Sequence, residues 1–173
     1  MTQAKIKIVP ARRVGITSFA GYAGPQAAAA TFAQGAPVKI ASGNLAAVST
    51  ASAGSLLYVK TSSTNNLVGI SGGLAVASVT TSIVAARWQE GMEFEGNLIE
   101  TTASASSAKT SKVGSTVYLA RNASDTHWGF TLNTPGASSA SYVQGKITKL
   151  IDAASTVNGR VMVTPTVGGA LKL

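Results

Sequence analysis

The segment Lys112–Leu119, KVGSTVYL, shows the pattern that decides the fold. Val117 and Leu119 flank Tyr118 at a spacing of two, which places alternate side chains on one face of a β-strand. Similar short apolar runs recur from Pro37 onward, and turn residues such as Asn158-Gly159 separate them. No convincing helical stripe of ten or more residues appears in that part of the chain, so the pattern predicts β-structure throughout.

Ten strands are predicted, at turn-punctuated intervals of about 8–12 residues. They are Val38–Ala41, Leu56–Lys60, Leu67–Ile70, Leu74–Val79, Ile83–Gln89, Met92–Thr101, Val113–Ala120, His127–Leu132, Tyr142–Lys149 and Arg160–Pro165. Two Ser/Thr-rich stretches between them, Thr101–Thr110 and Thr134–Ser141, are predicted to be exposed loops. We therefore expect an all-β fold: a single β-sandwich or β-barrel-like domain of short strands, preceded by an extended N-terminal arm.

The first 35 residues differ from the rest. Lys5–Val9 alternates polar and apolar residues and stops at Pro10, as expected for a short strand that adds to the edge of another sheet. In the Gly-, Ala- and Pro-rich stretch that follows, alanine favours a short helix through Gln26–Gln34. We predict that residues 1–35 form a partner-binding arm and residues 36–173 a β-domain; the alternative is a loosely ordered terminus. The predicted binding residues of the arm are Lys5, Ile6, Lys7, Ile8, Arg12, Arg13, Phe19, Tyr22 and Phe32.

The composition favours a structural or binding protein over an enzyme. Only 12% of the 173 residues are charged, and the net charge is +8. No acidic residue precedes Glu90, so the basic N-terminal part predicts attraction to an acidic surface. With no Cys and one His, the chain has no thiolate zinc site, disulfide or cysteine nucleophile. We find no secretory signal and no membrane-spanning stretch, and expect synthesis in a cytoplasm.

Two patterns invite a catalytic interpretation. Gly69–Gly73 matches the G-x-S-x-G nucleophile motif, but the residues after it alternate like a strand where that motif needs a helix. A glycine-rich turn is the preferred interpretation. Glu93 and Glu95 would share one face of a strand and could act as a glycosidase pair or bind calcium. We favour an acidic patch that contacts basic residues of a neighbouring copy, and we expect no catalytic site, no metal and no cofactor.

The remaining polar and aromatic residues point to no specific site. His127 and its neighbour Trp128 are interpreted as structural, and Trp88 and Trp128 as core residues. The basic residues recur singly, without a stripe or a known nucleic-acid-binding motif, so no specific nucleic-acid partner is expected.

Four segments of the second half resemble the decoration, or cement, proteins of tailed-phage heads: Met92–Asn97, Lys112–Leu119, Val143–Ile147 and Asn158–Pro165. In such proteins a V-G-x-x-V-Y-L strand is followed by a V-G-x-I/V strand, and a G-R-V-x-V strand closes the β-domain. Ala36–Lys39 and Leu67–Ser71 are similar in style. The resemblance covers residues 36–165, and the long Ala/Gly-rich front is a departure from it.

The resemblance implies a virion protein that is made in the host cytoplasm and added to the outer surface of the capsid. Its partners would be the major capsid protein and further copies of itself, with a homotrimer at three-fold and quasi-three-fold positions. It would tie neighbouring capsomers together and would bind no membrane. Two other classes remain open: another virion part, such as a tail-tube or head–tail joining protein, and a carbohydrate-binding β-sandwich or adhesin, in which Trp88 or Trp128 would lie exposed in a groove.

Overall fold

The computed structural model describes residues 4–13, 21–60, 67–79, 82–99, 110–136 and 142–166. Within these ranges the chain forms thirteen β-strands and one short 3-10 helix, without an α-helix, so the all-β prediction is confirmed. The elements are β1 (Val9–Arg13), β2 (Gly21–Pro25), β3 (Pro37–Ala41), β4 (Asn44–Ala47), β5 (Thr50–Ala53), β6 (Leu56–Val59), β7 (Leu67–Ser71), β8 (Ser82–Arg87), β9 (Met92–Asn97), η1 (Thr110–Lys112), β10 (Thr116–Asn122), β11 (Trp128–Thr131), β12 (Gln144–Leu150) and β13 (Arg160–Pro165).

The larger sheet is antiparallel and has the order β1-β9-β13-β12-β10-β6-β5, with β11 also paired to β10. It curls into a half-barrel because the chain just after β9 returns to β11. Leu98 forms a bridge to Phe130, and the Ile99 N–H donates to the Phe130 carbonyl at 2.8 Å. β1 and β5 lie at the two ends of the strand order.

The smaller sheet is also antiparallel and has the order β2-β8-β7-β3-β4. Its two outer strands are brought together at one end. Gln26, just after β2, forms a bridge to Leu45 in β4, and the Ala27 N–H donates to the Leu45 carbonyl at 2.9 Å. The edge of β4 is therefore partly covered by the chain itself.

The main core fills the half-barrel. Trp88 and Phe94 stack with ring centroids 4.7 Å apart, and Phe130 lies 6.2 Å from Trp88; all three are 1% exposed or less. The alternation in β13 shows how the sequence produces this core, because Val161 and Val163 are fully buried while the residue between them is partly exposed. Each such aliphatic side chain contributes roughly 1.5–3 kcal/mol by burial.

A second core lies against the smaller sheet and includes Phe32, Val38, Leu45 and Ala85. Trp128, in β11, packs against both cores and so joins the two sheets.

Close strand packing explains one glycine of the G-x-S-x-G pattern. A Cβ at Gly69 would lie 1.9 Å from the carbonyl oxygen of Ala86, a distance no side chain tolerates. Ser71 follows at the end of β7, 2% exposed, and its hydroxyl donates to the Gly73 carbonyl at 2.7 Å. Gly69 is thus a packing residue, and the serine hydroxyl is bonded within its own turn.

Two sequence-based elements are wrong. The helix predicted at Gln26–Gln34 is absent because its backbone bonds elsewhere, as the Ala27 N–H does to β4. The strand predicted at Leu74–Val79 is a turn-rich segment that touches the 27–32 stretch: the Ala75 N–H donates to the Phe32 carbonyl at 2.9 Å. The alternation of large and small residues in this segment therefore does not arise from strand pairing. Leu74, one of its large residues, is 63% exposed.

The sequence predicts a first strand at Lys5–Val9, but β1 spans Val9–Arg13. Residues 4–8 belong to no strand, and β1 starts at Val9 and contains Pro10. A proline is tolerated because β1 is an outer strand, where a missing N–H costs no ladder bond. The register with β9 shifts between Pro10 and Arg12, as in a β-bulge.

Candidate binding surfaces

The segment before β1 is fixed to the β-domain by a buried amide. The Ile6 N–H donates to Asn97 Oδ1 at 2.6 Å, and Asn97 Nδ2 donates to the carbonyls of Ala4 at 3.4 Å and Asn158 at 2.5 Å. Asn97 is 1% exposed, and so is Ile8, which belongs to the main core. This part of the predicted arm is thus packed on the protein itself.

The basic residues of the segment have partners within the chain. Lys5 forms an ion pair with Asp125, whose other carboxylate oxygen lies 2.9 Å from His127 Nδ1. Burial raises the pKa of Asp125, but the hydrogen bonds from Lys5 and His127 and the charge of Lys5 outweigh it, so the pKa lies well below its usual value. Lys7 Nζ donates to Gln34 Oε1 at 3.1 Å.

The other predicted arm residues are dispersed. Phe32 is 7% exposed in the second core. Arg12 and Arg13 lie in β1, opposite Glu93 and Met92 of β9, whereas Tyr22 lies in β2 opposite Ala85. Phe19 lies outside the described residues. In this conformation Ile8 and Phe32 are not available to a partner, and the partner-binding role of the remaining arm residues stays a prediction.

The two glutamates predicted to contact a neighbouring subunit have partners in their own chain. Glu93 is 4% exposed and accepts a hydrogen bond from Thr148 Oγ1 at 2.9 Å. Glu95 Oε1 lies 2.9 Å from Arg160 Nη1, and the other terminal nitrogen of Arg160 lies 2.7 Å from Asp152 Oδ1. The inter-subunit role of both glutamates stays a prediction.

Arg160 and Asp152 are joined by both side-chain and backbone contacts. Besides the side-chain contacts, the Arg160 N–H donates to Asp152 Oδ2 at 2.8 Å. The hydrogen bonds from Arg160 lower the pKa of Asp152 despite its burial, and the same bonds raise the pKa of Arg160. The guanidinium therefore links β13 both to the loop before it and to β9.

A pocket of about 420 Å³ lies where the two sheets meet. Trp128, partly buried, forms one wall, and Phe32 and the exposed Leu74 line it from the smaller sheet's side. The Arg121 guanidinium also lines it, 5.7 Å from the centre of the Trp128 ring, and Arg121 Nη1 donates to the Asp125 carbonyl at 2.6 Å. A cation over an indole face is a known aromatic contact.

Sequence reasoning missed Arg121. Arg121 and Trp128 are directly opposite in the β10–β11 pair. Their pairing could have been predicted by treating the two neighbouring predicted strands as a hairpin, since opposite residues of a hairpin share a face.

A second, open depression of about 470 Å³ lies at the turn between β5 and β6. Ala53, Leu56, Tyr58 and Pro135 are among its lining residues. The Tyr58 hydroxyl donates to the Asn133 carbonyl at 3.2 Å, which fixes the ring beside the opening.

The two tryptophans differ in accessibility. Trp88 is 1% exposed, and its Nε1 has no hydrogen-bond partner among the residues that the structure describes. Its interpretation as a core residue is confirmed. Trp128 lines the pocket, so it alone of the two could stack against a ligand.

No three carboxylate or imidazole side chains within the described ranges are grouped so that they could hold a metal ion. Nor does any helix in the described part of the chain have the length and apolar character needed to cross a membrane. Comparison of the chain with protein-family models, curated proteins and solved structures gives no match.

Proposed function

We propose that this protein is a non-enzymatic virion component that binds the outer surface of an assembled phage capsid and bridges neighbouring capsomers. The supporting observation is the placement of the four segments with the resemblance. They contribute β9, β13, β12 and β10, which are consecutive neighbours in the larger sheet. The motifs are therefore parts of one structural unit, the half-barrel, as a shared fold would require.

The charge distribution agrees with an acidic partner. Asp125, Glu95 and Asp152 form ion pairs within the chain. Lys146 and Lys149, by contrast, are exposed on β12, and no ion pair joins them to the described residues. A surface of this kind favours association with an acidic shell and speeds the encounter at low salt.

Stabilisation of the shell would follow from linkage. A protein that binds the assembled shell and not its free subunits stabilises it by RT ln(1 + [L]/Kd), about 2.7 kcal/mol per site when its concentration is 100 times Kd. A trimer that contacts several capsomers would add avidity, because each further contact forms at a high effective concentration. Modest affinity per contact would then be enough for tight decoration.

The test is cryo-electron microscopy of the protein mixed with empty expanded heads of the phage that encodes it. The matched variants are K146E/K149E and K146R/K149R, which reverse or keep two exposed charges. Expected are ordered protrusions at local three-fold positions, lost with K146E/K149E and kept with K146R/K149R. A deletion of residues 1–35 is a poor test, because it would remove Ile8 and Phe32 from the two cores.

Other outcomes would contradict the proposal. Rings or tubes without binding to heads would favour a tail-tube or head–tail joining protein. Monomers that ignore heads would refute the capsid role.

One observation favours carbohydrate binding as a second candidate function. Trp128 lines a pocket next to Arg121, and an indole face with a nearby donor can hold a sugar ring. Screening the protein and its W128F variant against a glycan array tests this candidate. Binding that disappears in W128F would support it, and no binding by the unaltered protein would exclude it for the glycans on the array.

A further inference from the structure

The two outer strands of the larger sheet differ in how they are protected. β1 contains Pro10, a register shift and two arginines, all features that block pairing with another strand. β5, with the sequence TASA, contains no charge, no proline and no bulge. By these criteria β5 is the edge that could pair with a strand of another protein, although the sequence predicts strand addition by the N-terminal segment.

The backbone of β5 has hydrogen-bonding groups left over. β5 pairs with β6 on one side only, and the Lys60 N–H donates to the Ser49 carbonyl at 3.3 Å at the start of that ladder. In an antiparallel pair, hydrogen-bonded and non-bonded positions alternate. Counting from Ser49, the N–H and C=O groups of Ala51 and Ala53 point toward β6, and those of Thr50 and Ser52 point away from it. No hydrogen bond between described residues reaches the outward set.

Residues of β5 line both surface depressions. Thr50 lines the 420 Å³ pocket with Trp128 and Arg121, and Ala53 lines the 470 Å³ depression with Tyr58. The side chains of Thr50 and Ala53 point to opposite faces of the strand, because the two residues are an odd number of positions apart. An extended segment paired with β5 would therefore present successive side chains alternately to the two depressions, the arrangement by which edge pairing becomes sequence-selective.

The surrounding charge identifies the occupant. Arg121 lines one depression, and the ammonium of Lys39 lies 3.4 Å from Ser49 Oγ at the start of the strand. None of the described residues that line the depressions is acidic. A second copy of the chain would bring like charges together at this edge, whereas an acidic strand would complement it.

We infer that β5 is a docking edge for an extended acidic segment of another protein, with carboxylates directed to the Arg121 side and an apolar side chain to the Tyr58 side. The main-chain bonds of Thr50 and Ser52 would provide affinity, and the two depressions would provide selectivity. The inference does not rest on the capsid assignment, because it names the partner by its chemistry alone.

The test uses the full chain and a synthetic heptapeptide, Glu-Val-Glu-Phe-Glu-Val-Glu, with its Lys-Val-Lys-Phe-Lys-Val-Lys counterpart as control. Binding is measured by isothermal titration and located by amide chemical-shift changes. The matched variants are Ser52→Pro and Ser52→Ala, since both lose the hydroxyl but only the proline loses the outward N–H. Expected are shifts at β5, at least tenfold weaker binding for Ser52→Pro, unchanged binding for Ser52→Ala, and weaker binding at high salt.

Three results would overturn the inference: equal binding by the two Ser52 variants, equal binding of the lysine peptide, or no shift at β5. A concentration-dependent dimer that Ser52→Pro abolishes, seen by sedimentation, would also overturn it, in favour of a second copy as occupant. Thr50→Pro with its Thr50→Ala control replaces the first pair if circular dichroism shows that Ser52→Pro is unfolded. Because no phage head enters this assay, its failure is separate from failure of the proposed function.

Discussion

Replacing Ile8 with alanine distinguishes a docked N-terminal segment from a free arm. Ile8 is 1% exposed, and its Cγ1 lies 3.2 Å from the position that a Cβ on Gly96 would take. On the other side, its backbone nitrogen lies 2.9 Å from a Cβ placed on Gly35. The side chain of Ile8 therefore packs on β9, while its backbone is held against the loop before β3. With the segment fixed on both sides, the chain has little freedom to collapse into the space that the side chain leaves.

The magnitude follows from that packing. Ile8→Ala removes three carbons, and at about 0.8 kcal/mol each this costs about 2.4 kcal/mol of unfolding free energy. The cavity that remains raises the loss to about 3–4 kcal/mol. For a chain of this size the melting temperature would fall by roughly 6–16 °C. The control is Val9→Ala: Val9 is the next residue and 38% exposed, so its replacement should cost less than about 1 kcal/mol.

The assay is urea unfolding of the isolated protein, followed by circular dichroism and by the fluorescence of Trp88, which shares the main core with Ile8. The two signals should give one transition, with a lower midpoint for Ile8→Ala than for Val9→Ala. Equal midpoints for both variants and the unaltered protein would refute the reasoning. Residues 4–13 would then be undocked in solution, and the arm hypothesis would regain Ile8 as a partner-binding residue.

Three further predictions test the core, the ion pairs and the aromatic surface. Gly145→Ala would place a methyl carbon 2.5 Å from a valine side chain of β13, so we expect a loss of at least 1–3 kcal/mol, measured as a lower urea midpoint. Because Arg160 lowers the pKa of Asp152, the unfolded state binds more protons below about pH 4, and stability should fall as the pH falls through that range. Asp152→Asn should reduce this dependence between pH 2 and 6, and an unchanged dependence would rule out the pair as its source. Acrylamide should quench the emission of W88F, which retains Trp128, and leave that of W128F, which retains Trp88, almost unquenched; equal quenching would contradict the assigned burial.

The sequence predicted the strands whose side chains alternate between core and solvent. β13 is an example, because the buried Val161 and Val163 alternate with the partly exposed Arg160, Met162 and Thr164, and its predicted bounds are confirmed. β5 was missed because Thr, Ala and Ser are equally compatible with a loop, and only pairing with β6 makes them a strand. The failed strand at Leu74–Val79 shows the converse: alternation predicts a strand only where a neighbouring strand is present to pair with it.

The binding surfaces were harder to predict because they depend on distant residues. Asn97 holds Ile6 across 91 residues, and no local pattern announces such a bond. For the same reason the polar and apolar alternation of Lys5–Val9 predicts pairing with another protein's sheet, although Ile8 lies in this chain's own core. The Arg121–Trp128 pair, in contrast, was within reach of a hairpin argument.

The position of β13 has a consequence for the order of events during synthesis. β13 lies between β9 and β12, so the half-barrel lacks an internal strand until residues 160–165 have left the ribosome. At about 5–20 residues per second, the segment that contains Ile8 would wait roughly 8–30 s for its complete binding surface. Such non-local pairing is slow, because loop closure must come before any stabilising contact. During that interval the nascent chain would expose apolar β-strands, and we expect chaperones to bind it.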